Sequence, residues 1–340
     1  MSQAVTAIIP TYNRAALVRR AIDSALRATT SHDEILVVDD GSTDDTTSRI
    51  KDYGDRVRVL QVPHRGAGAA RNAGVAAAKH DWIAFLDSDD EWDPDKIAMQ
   101  RALLAAREDV AYVFSDFRVI HEQGATIPRY LRNWMSDKRP WQEITSPPCS
   151  FRALAGAKNA LDRDFDVYIG DFYTTLLENF CIPTFTLMFR RSRSVEARFA
   201  EDLPTYEDYE FFGRLTHQKL GAYLDVETAT QHGHGLPRLT SATQVHKLDA
   251  QMTVTARIWG SDAAFLEAHG GMYAHHWDTL KQRRSRARIS ELLLLDDLPK
   301  ARCIAASAEG LSWKIRALLA LPHPMARWAL MVYRRTLRHQ

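Results

Sequence analysis

Cysteine is scarce in this chain. Only Cys149, Cys181 and Cys303 occur, far apart and without a CxxC pair. That spacing excludes a zinc ribbon or a disulfide framework and fits a reducing, cytoplasmic compartment. Net charge is nearly absent as well: 44 Lys and Arg against 43 Asp and Glu leave +1. A general nucleic-acid binder would carry a clear basic excess, so that class is set aside. No uncharged apolar run approaches the roughly 20 residues needed to span a bilayer. The start, Met1-Ser2-Gln3, leads directly into a strand pattern and does not resemble a signal peptide. No internal repeat and no low-complexity tract is present. A length of 340 residues suits one large domain or two.

What is present first is alternation. Apolar runs at 5–9, 35–38, 57–62, 82–86 and 110–115 read as strands. Between them, 14–28, 67–79 and 94–107 read as helices; Leu17, Val18, Ala21, Ile22, Ala25 and Leu26 share one face of the first. This order predicts an α/β fold, a mostly parallel sheet flanked by helices. Ligands of such sheets sit at the carboxyl ends of the strands. Residues 121–166 are less regular, interrupted by Trp134, Pro140, Trp141, Pro147 and Pro148. They are an acceptor loop or an ordinary long insertion. Beyond Gln244 the pattern is helical. The expected division is a domain over 1–245, with a nucleotide half at 1–120 and an acceptor half at 121–245, and a helical extension over 246–340.

The most informative segment is Ile83-Ala84-Phe85-Leu86-Asp87-Ser88-Asp89-Asp90. An apolar strand ends in three carboxylates within four residues. Like charges at close range repel, and burial adds to the cost. A divalent cation would neutralise them, and carboxylate oxygens suit Mg²⁺ or Mn²⁺, which commonly also hold substrate phosphates. A solvated acidic loop is the alternative. A second acidic strand end, Asp39-Asp40, is followed by Gly41-Ser42-Thr43-Asp44-Asp45. Helix capping explains Ser42 to Asp45 but not Asp39 and Asp40; a carboxylate there can accept from a base N–H. Gly66-Ala67-Gly68 begins like a dinucleotide fingerprint, but Arg71 stands where the third glycine belongs. Small residues there suit close packing of a helix on the sheet. Arg71 faces a phosphate or is a surface arginine. Glu207-Asp208 places a carboxylate pair at a helix start, where the helix dipole alone would also favour acids.

Read in order, these segments resemble the family 2 glycosyltransferases of the GT-A fold. The carrying residues are Ile8 to Arg14, Val37 to Thr46, Ala70-Arg71-Asn72-Ala73-Gly74, Phe85 to Asp90 with Pro94, and Glu207-Asp208. The match runs from about residue 4 to about residue 240. The resemblance implies a nucleotide-sugar lying over the strand ends, with uridine ahead of thymidine and guanosine as its base. It implies donor contacts from Pro10, Thr11, Tyr12, Arg14, Asp39, Asp40, Arg71, Asp87 and Ser88. Asp40 would accept from the base, and Asp87 would touch the ribose or sugar. Asp89 would ligate Mn²⁺ or Mg²⁺, with His234 near the metal or diphosphate, and Asp208 would be the general base. The implied reaction is inverting transfer to a hydroxyl of a glycan or lipid-linked acceptor, as in bacterial surface polysaccharide synthesis. Two departures stand out. His64 replaces the family's usual asparagine, and the QxxRW signature of processive synthases is absent. A polyprenyl-phosphate sugar transferase, a sugar-1-phosphate nucleotidyltransferase and a catalytically dead binding module are the competing readings. The nucleotidyltransferase would carry a Gly-rich loop where Pro10-Thr11-Tyr12-Asn13-Arg14 stands.

The C-terminal charge is lopsided. Residues 281–340 hold 13 Lys and Arg against four acids, an excess of nine in a chain of net +1. Segments 311–321 and 325–337 are apolar and basic. They predict an interfacial helix on an anionic membrane. Packing on the rest of the chain, or a homodimer contact, is the alternative.

Overall fold

A computed structural model of the chain describes residues 4–135, 137–235, 243–295 and 297–337; the side chains of residues 157 and 331–337 are outside that description. Two compact units divide at residues 238 and 239.

The first unit is built on one sheet. Its strands among the described residues are β1 (Val5–Thr11), β2 (Glu34–Asp39), β3 (Arg58–Gln61), β4 (Trp82–Phe85), β5 (Glu91–Trp92) and β6 (Val110–Ile120). They continue with β7 (Thr126–Ile127), β8 (Cys149–Ser150), β9 (Asp166–Gly170), β10 (Met188–Arg190) and β11 (Leu220–His232). The order is β3-β2-β1-β4-β10-β6-β11-β9-β8, with β5 on β11 and β7 on β6. β3, β2, β1 and β4 run parallel, as do β6 and β11. All residues of β1 and β2 are buried, which is why both read as near-continuous apolar runs. The expected α/β sheet is therefore present. The sequence pattern did not reveal β10, which lies antiparallel between β4 and β6.

Local details differ from expectation for identifiable reasons. The first helix is Val18–Ala28, not 14–28. The Arg14 N–H donates to Thr46 Oγ1 at 2.8 Å, and its carbonyl accepts from Leu17 and Val18 N–H, so residues 15–17 form a turn. Ser42 and Thr43 do not cap the following helix, Thr46–Lys51. Ser42 Oγ accepts the Asn13 N–H at 3.0 Å, and the Thr43 N–H donates to Asn13 Oδ1 at 2.8 Å. The Asp44 carboxylate takes the Thr46 N–H instead, at 2.9 Å. In the helix Ala67–Ala77 the small residues do bring it close to the sheet. A methyl on Gly74 would lie 2.6 Å from Ile8 Cγ2 and 3.1 Å from Val38 Cγ2.

The helix Lys96–Ala106 carries a fully buried lysine. Lys96 Nζ donates to Gln100 Oε1 at 2.8 Å and lies 4.4 Å from the Trp92 ring centre. Trp92 Nε1–H and Gln100 Nε2–H in turn donate to the carbonyls of Phe185 and Thr186, both at 2.7 Å. With no carboxylate among these partners, burial pulls the Lys96 ammonium well below the usual lysine range.

The second unit is helical: Gln244–Ile258, Ala263–Leu294 with a kink at His269, Leu298–Ala305, Trp313–Ala320 and His323–Leu337. Thr243, Asp262, Asp297 and Ser312 cap the first four by accepting a backbone N–H. Its core joins Ile289, Leu292, Leu293, Leu298, Ala301, Leu311, Ala326 and Leu330. The last two helices thus place part of their apolar surface against their own unit. No helix among the described residues is long and apolar enough to cross a membrane.

Lys96 generates a pH test. An unfolded lysine keeps its proton up to about pH 10.4. Folded Lys96 loses it lower, so the unfolded chain binds more protons between the two values. This group's contribution to stability therefore rises with pH in that window. Relative to Lys96→Met, the wild-type unfolding free energy should rise with pH on the approach to the unfolded lysine pKa, by up to about 1.4 kcal/mol per pH unit. Urea titrations with equal pH slopes for the two proteins would contradict this.

Candidate active site

Three adjacent parallel strands deliver the candidate residues to one edge of the sheet. Thr11 at the end of β1 is in register with Asp39 at the end of β2, and Ile8 of β1 with Phe85 of β4. The Asp40 N–H donates to the Thr11 carbonyl at 2.9 Å, and the Leu86 N–H to that of Ile8 at 3.0 Å. The loops carrying Pro10 to Arg14, Asp39-Asp40 and Asp87 to Asp89 therefore start side by side.

Asp39 and Asp40 are both buried and already engaged. Asp39 accepts from the Ser42 N–H at 2.9 Å and the Thr47 hydroxyl at 2.6 Å. Burial alone would raise its carboxyl, but hydrogen bonds from Ser42 and Thr47 outweigh that and hold it below the usual range. Asp40 Oδ1 accepts the Arg65 N–H at 2.9 Å, and Oδ2 the Gly66 N–H at 2.8 Å. His64 Nδ1 lies 2.9 Å from the same Oδ2. Gly66, at φ 94°, allows the turn that brings both amides inward. Both Asp40 oxygens thus hold the 64–66 loop. That loop sets the His64 ring on Tyr12, with ring centres 4.0 Å apart and planes 18° from parallel. Tyr12 is exposed. Thr11 Oγ1 is buried with no partner among the described residues.

Arg71 is not a surface arginine, and it does not face open solvent as a phosphate ligand would. It is 6% exposed. One guanidinium nitrogen donates to Asp87 Oδ1 at 2.7 Å and the other to Glu207 Oε1 at 3.0 Å. Its Cζ lies 5.2 Å from the Phe199 ring centre. Gly68 permits this approach: a methyl there would lie 2.7 Å from the Ala200 carbonyl and 3.2 Å from Glu207 Cγ. Burial raises the Asp87 carboxyl, against the pull of Arg71 and with the push of Asp89.

Asp208 stands in the first turn of the helix Glu207–Thr216. Tyr206 before it holds a left-handed φ of 64°, a sparsely populated conformation for a tyrosine. Asp208 Oδ1 accepts the Tyr209 N–H at 2.8 Å. Its carboxyl is pushed up to about 7, first by burial and then by the adjacent Glu207 charge, with Arg71 opposing. The structure thus links Asp208 to the β4 end through Glu207, Arg71 and Asp87.

Asp89 Oδ2 lies 2.7 Å from His234 Nε2, and His234 Nδ1 is buried without a partner among the described residues. Ser88 is buried in the turn between the two aspartates. Asp90 ties this turn to β11 by accepting the His232 N–H at 3.1 Å. No group of three acidic, histidine or cysteine side chains placed to hold a metal ion occurs among the described residues. One carboxylate and one imidazole still fit a divalent cation that takes its other ligands from phosphates and water. The imidazole favours Mn²⁺ over Mg²⁺. Three residues that bear on this geometry were given no site role from sequence: Glu207, Phe199 and His64. The departure from the family pattern at His64 was the one available signal.

Comparisons with known proteins bear on the family and the fold. The *Escherichia coli* protein described as UDP-Glc:alpha-D-GlcNAc-diphosphoundecaprenol beta-1,3-glucosyltransferase is 33% identical over 119 residues, 34% of this chain and 47% of that protein. The chain spans less than half the length of such curated relatives, 22% for one from Rickettsia felis. A crystal structure of S. aureus TarS 1-349 in complex with UDP-GlcNAc matches with a TM-score of 0.60 at 18% identity, over 89% of this chain and 79% of that one. The mannosyltransferase PcManGT from Pyrobaculum calidifontis, in complex with GDP-Man and Mn²⁺, matches with a TM-score of 0.51 at 19% identity, over 98% of this chain and 82% of that one. These likenesses show the GT-A fold. The model of the family described as "Glycosyl transferase family 2" matches residues 6–193, more than half of the chain, and the chain therefore belongs to that family.

Proposed function

We propose that the chain transfers a sugar, with inversion and with a divalent metal, from a nucleoside diphosphate-sugar to an acceptor hydroxyl. UDP is the first nucleotide to test, since the solved neighbour TarS binds UDP-GlcNAc. The acceptor is a lipid-linked precursor of a surface glycan, by analogy with the E. coli relative named for a diphosphoundecaprenol substrate. The observation that carries the reading is Asp208. Its carboxyl is pushed up to about 7, and it adjoins Glu207, which accepts from Arg71 as does Asp87 at the end of β4.

An acceptor hydroxyl is a poor nucleophile at neutral pH. A carboxylate near pKa 7 within reach of it takes its proton efficiently as the new bond forms. Asp208 is assigned this role. The acceptor oxygen bonds to the anomeric carbon while the bond to the diphosphate breaks, so a single displacement inverts that centre. Thr11, with its unpartnered hydroxyl, and Tyr12 face the donor with Pro10, Arg14 and Ser88, while Asp39 and Asp40 hold the surrounding loops. Asp87 positions the sugar end. A cation held by Asp89 and His234 would supply Lewis-acid stabilisation of the leaving diphosphate. A polyprenyl-phosphate acceptor would need little base catalysis, and the perturbed Asp208 favours the hydroxyl reading.

Asp208→Asn should lower kcat by about 10²–10⁴-fold while donor affinity is kept. Turnover close to wild type would remove Asp208 from the reaction. NMR of the product from an α-linked donor should show a β linkage, and retention would overturn the single displacement. Asp89→Ala should abolish the gain in UDP affinity that Mn²⁺ gives in calorimetry. A gain equal to wild type would exclude Asp89 as a ligand.

A further inference from the structure

The helical unit has a surface that its own packing leaves unused. From residue 310 to residue 340 the sequence contains no Asp or Glu, yet six Lys and Arg: Lys314, Arg316, Arg327, Arg334, Arg335 and Arg338. The inner sides of the last two helices are spent on their own core. Leu311, Ala326 and Leu330 are buried, and Ile315, Leu318, Leu319 and Leu321 pack against them. What remains outside is unusual. Trp313 is 74% exposed, Trp328 66% and Met325 58%. Elsewhere Trp92 and Trp259 are almost fully buried.

A soluble surface seldom exposes two tryptophans and a methionine within 16 positions of sequence without a partner to cover them. We propose that the segment 313–328 docks on an anionic bilayer, with Trp313, Met325 and Trp328 entering the headgroup boundary and Lys314 and Arg316 facing lipid phosphates. Tryptophan favours that boundary because its ring is apolar and its N–H is polar. Each basic residue near the surface adds attraction to anionic lipid. The charge also selects between occupants. A second copy of this surface would bring a like-charged, acid-free segment against the first, and repulsion would oppose it. An anionic bilayer complements it. This inference stands on the second unit alone and does not depend on the assignment of donor or base.

The test is co-sedimentation of the full chain with vesicles of phosphatidylcholine containing about one third phosphatidylglycerol, at low salt. Binding is expected to these vesicles, with a blue shift of tryptophan emission, and not to pure phosphatidylcholine. The double variant Trp313→Ala/Trp328→Ala should bind at least roughly tenfold more weakly. Lys314→Glu/Arg316→Glu should weaken binding by a similar factor while leaving the tryptophans in place. Both pairs are at the surface or on exposed helix positions, and circular dichroism checks that each variant folds. No binding of wild type, or binding unchanged in both variants, would overturn the proposal. So would sedimentation equilibrium showing a stable dimer that the tryptophan variant dissolves. The donor assays above are independent of this outcome.

Discussion

A buried guanidinium holds the site together. Arg71 projects from the helix Ala67–Ala77 and donates to Asp87, at the end of β4, and to Glu207, at the start of the helix that carries Asp208. Breaking such a buried pair by removing one partner leaves an uncompensated charge, which is strongly destabilising. The geometry of these elements is therefore mutually dependent. Gly68 is required for the approach, because any side chain there meets the Ala200 carbonyl. Phe199 covers the guanidinium on one side. The left-handed Tyr206 is held where this packing needs the helix to begin.

The same interaction sets the electrostatics. Asp87, Glu207 and Asp208 are three carboxylates around one cation, and Asp89 acts on Asp87 from beyond them. Burial and mutual repulsion push Asp208 and Asp87 up, and Arg71 opposes both. Two carboxylates in one region are thereby prepared for different tasks. Asp208 reaches the range where a carboxyl can exchange a proton near neutral pH. Asp89 instead pairs with His234. The loops after β2 and β3 are organised by another pair of carboxylates, Asp39 and Asp40, through their hydrogen bonds.

Much of this was legible in the sequence. The strands β1, β2 and β4 announce themselves as short apolar runs because they are buried, and the first helix by its 3.6-residue spacing. The acidic strand ends are visible because carboxylates next to such runs are unusual. What stayed hidden depends on contacts between distant residues. β10 has three residues, and only its neighbours β4 and β6 make it a strand. Arg71 looks like any arginine near glycines, since its partners lie 16 and 136 residues away in the chain. The tie between Asp40 and the loop at 64–66 spans more than 20 residues of chain and is equally invisible in the sequence. Asn13, not a helix cap, decides where Ser42 and Thr43 point. In the second unit the sequence shows apolar, basic helices, but only packing tells which apolar side chains remain outside.

The central claim is that Arg71 restrains the Asp208 carboxyl, which burial and the adjacent Glu207 push up. The most direct measurement is the pH dependence of kcat/KM for the wild type and for Arg71→Gln, at fixed saturating Mn²⁺. The wild-type acid limb should fall near pH 7, where the Asp208 carboxyl titrates. Loss of the guanidinium should move that limb upward by about one pH unit or more, because a nearby opposite charge shifts a carboxyl by about 1–3 units. Acid limbs that coincide in the two proteins would contradict the claim and leave Arg71 a purely structural tie.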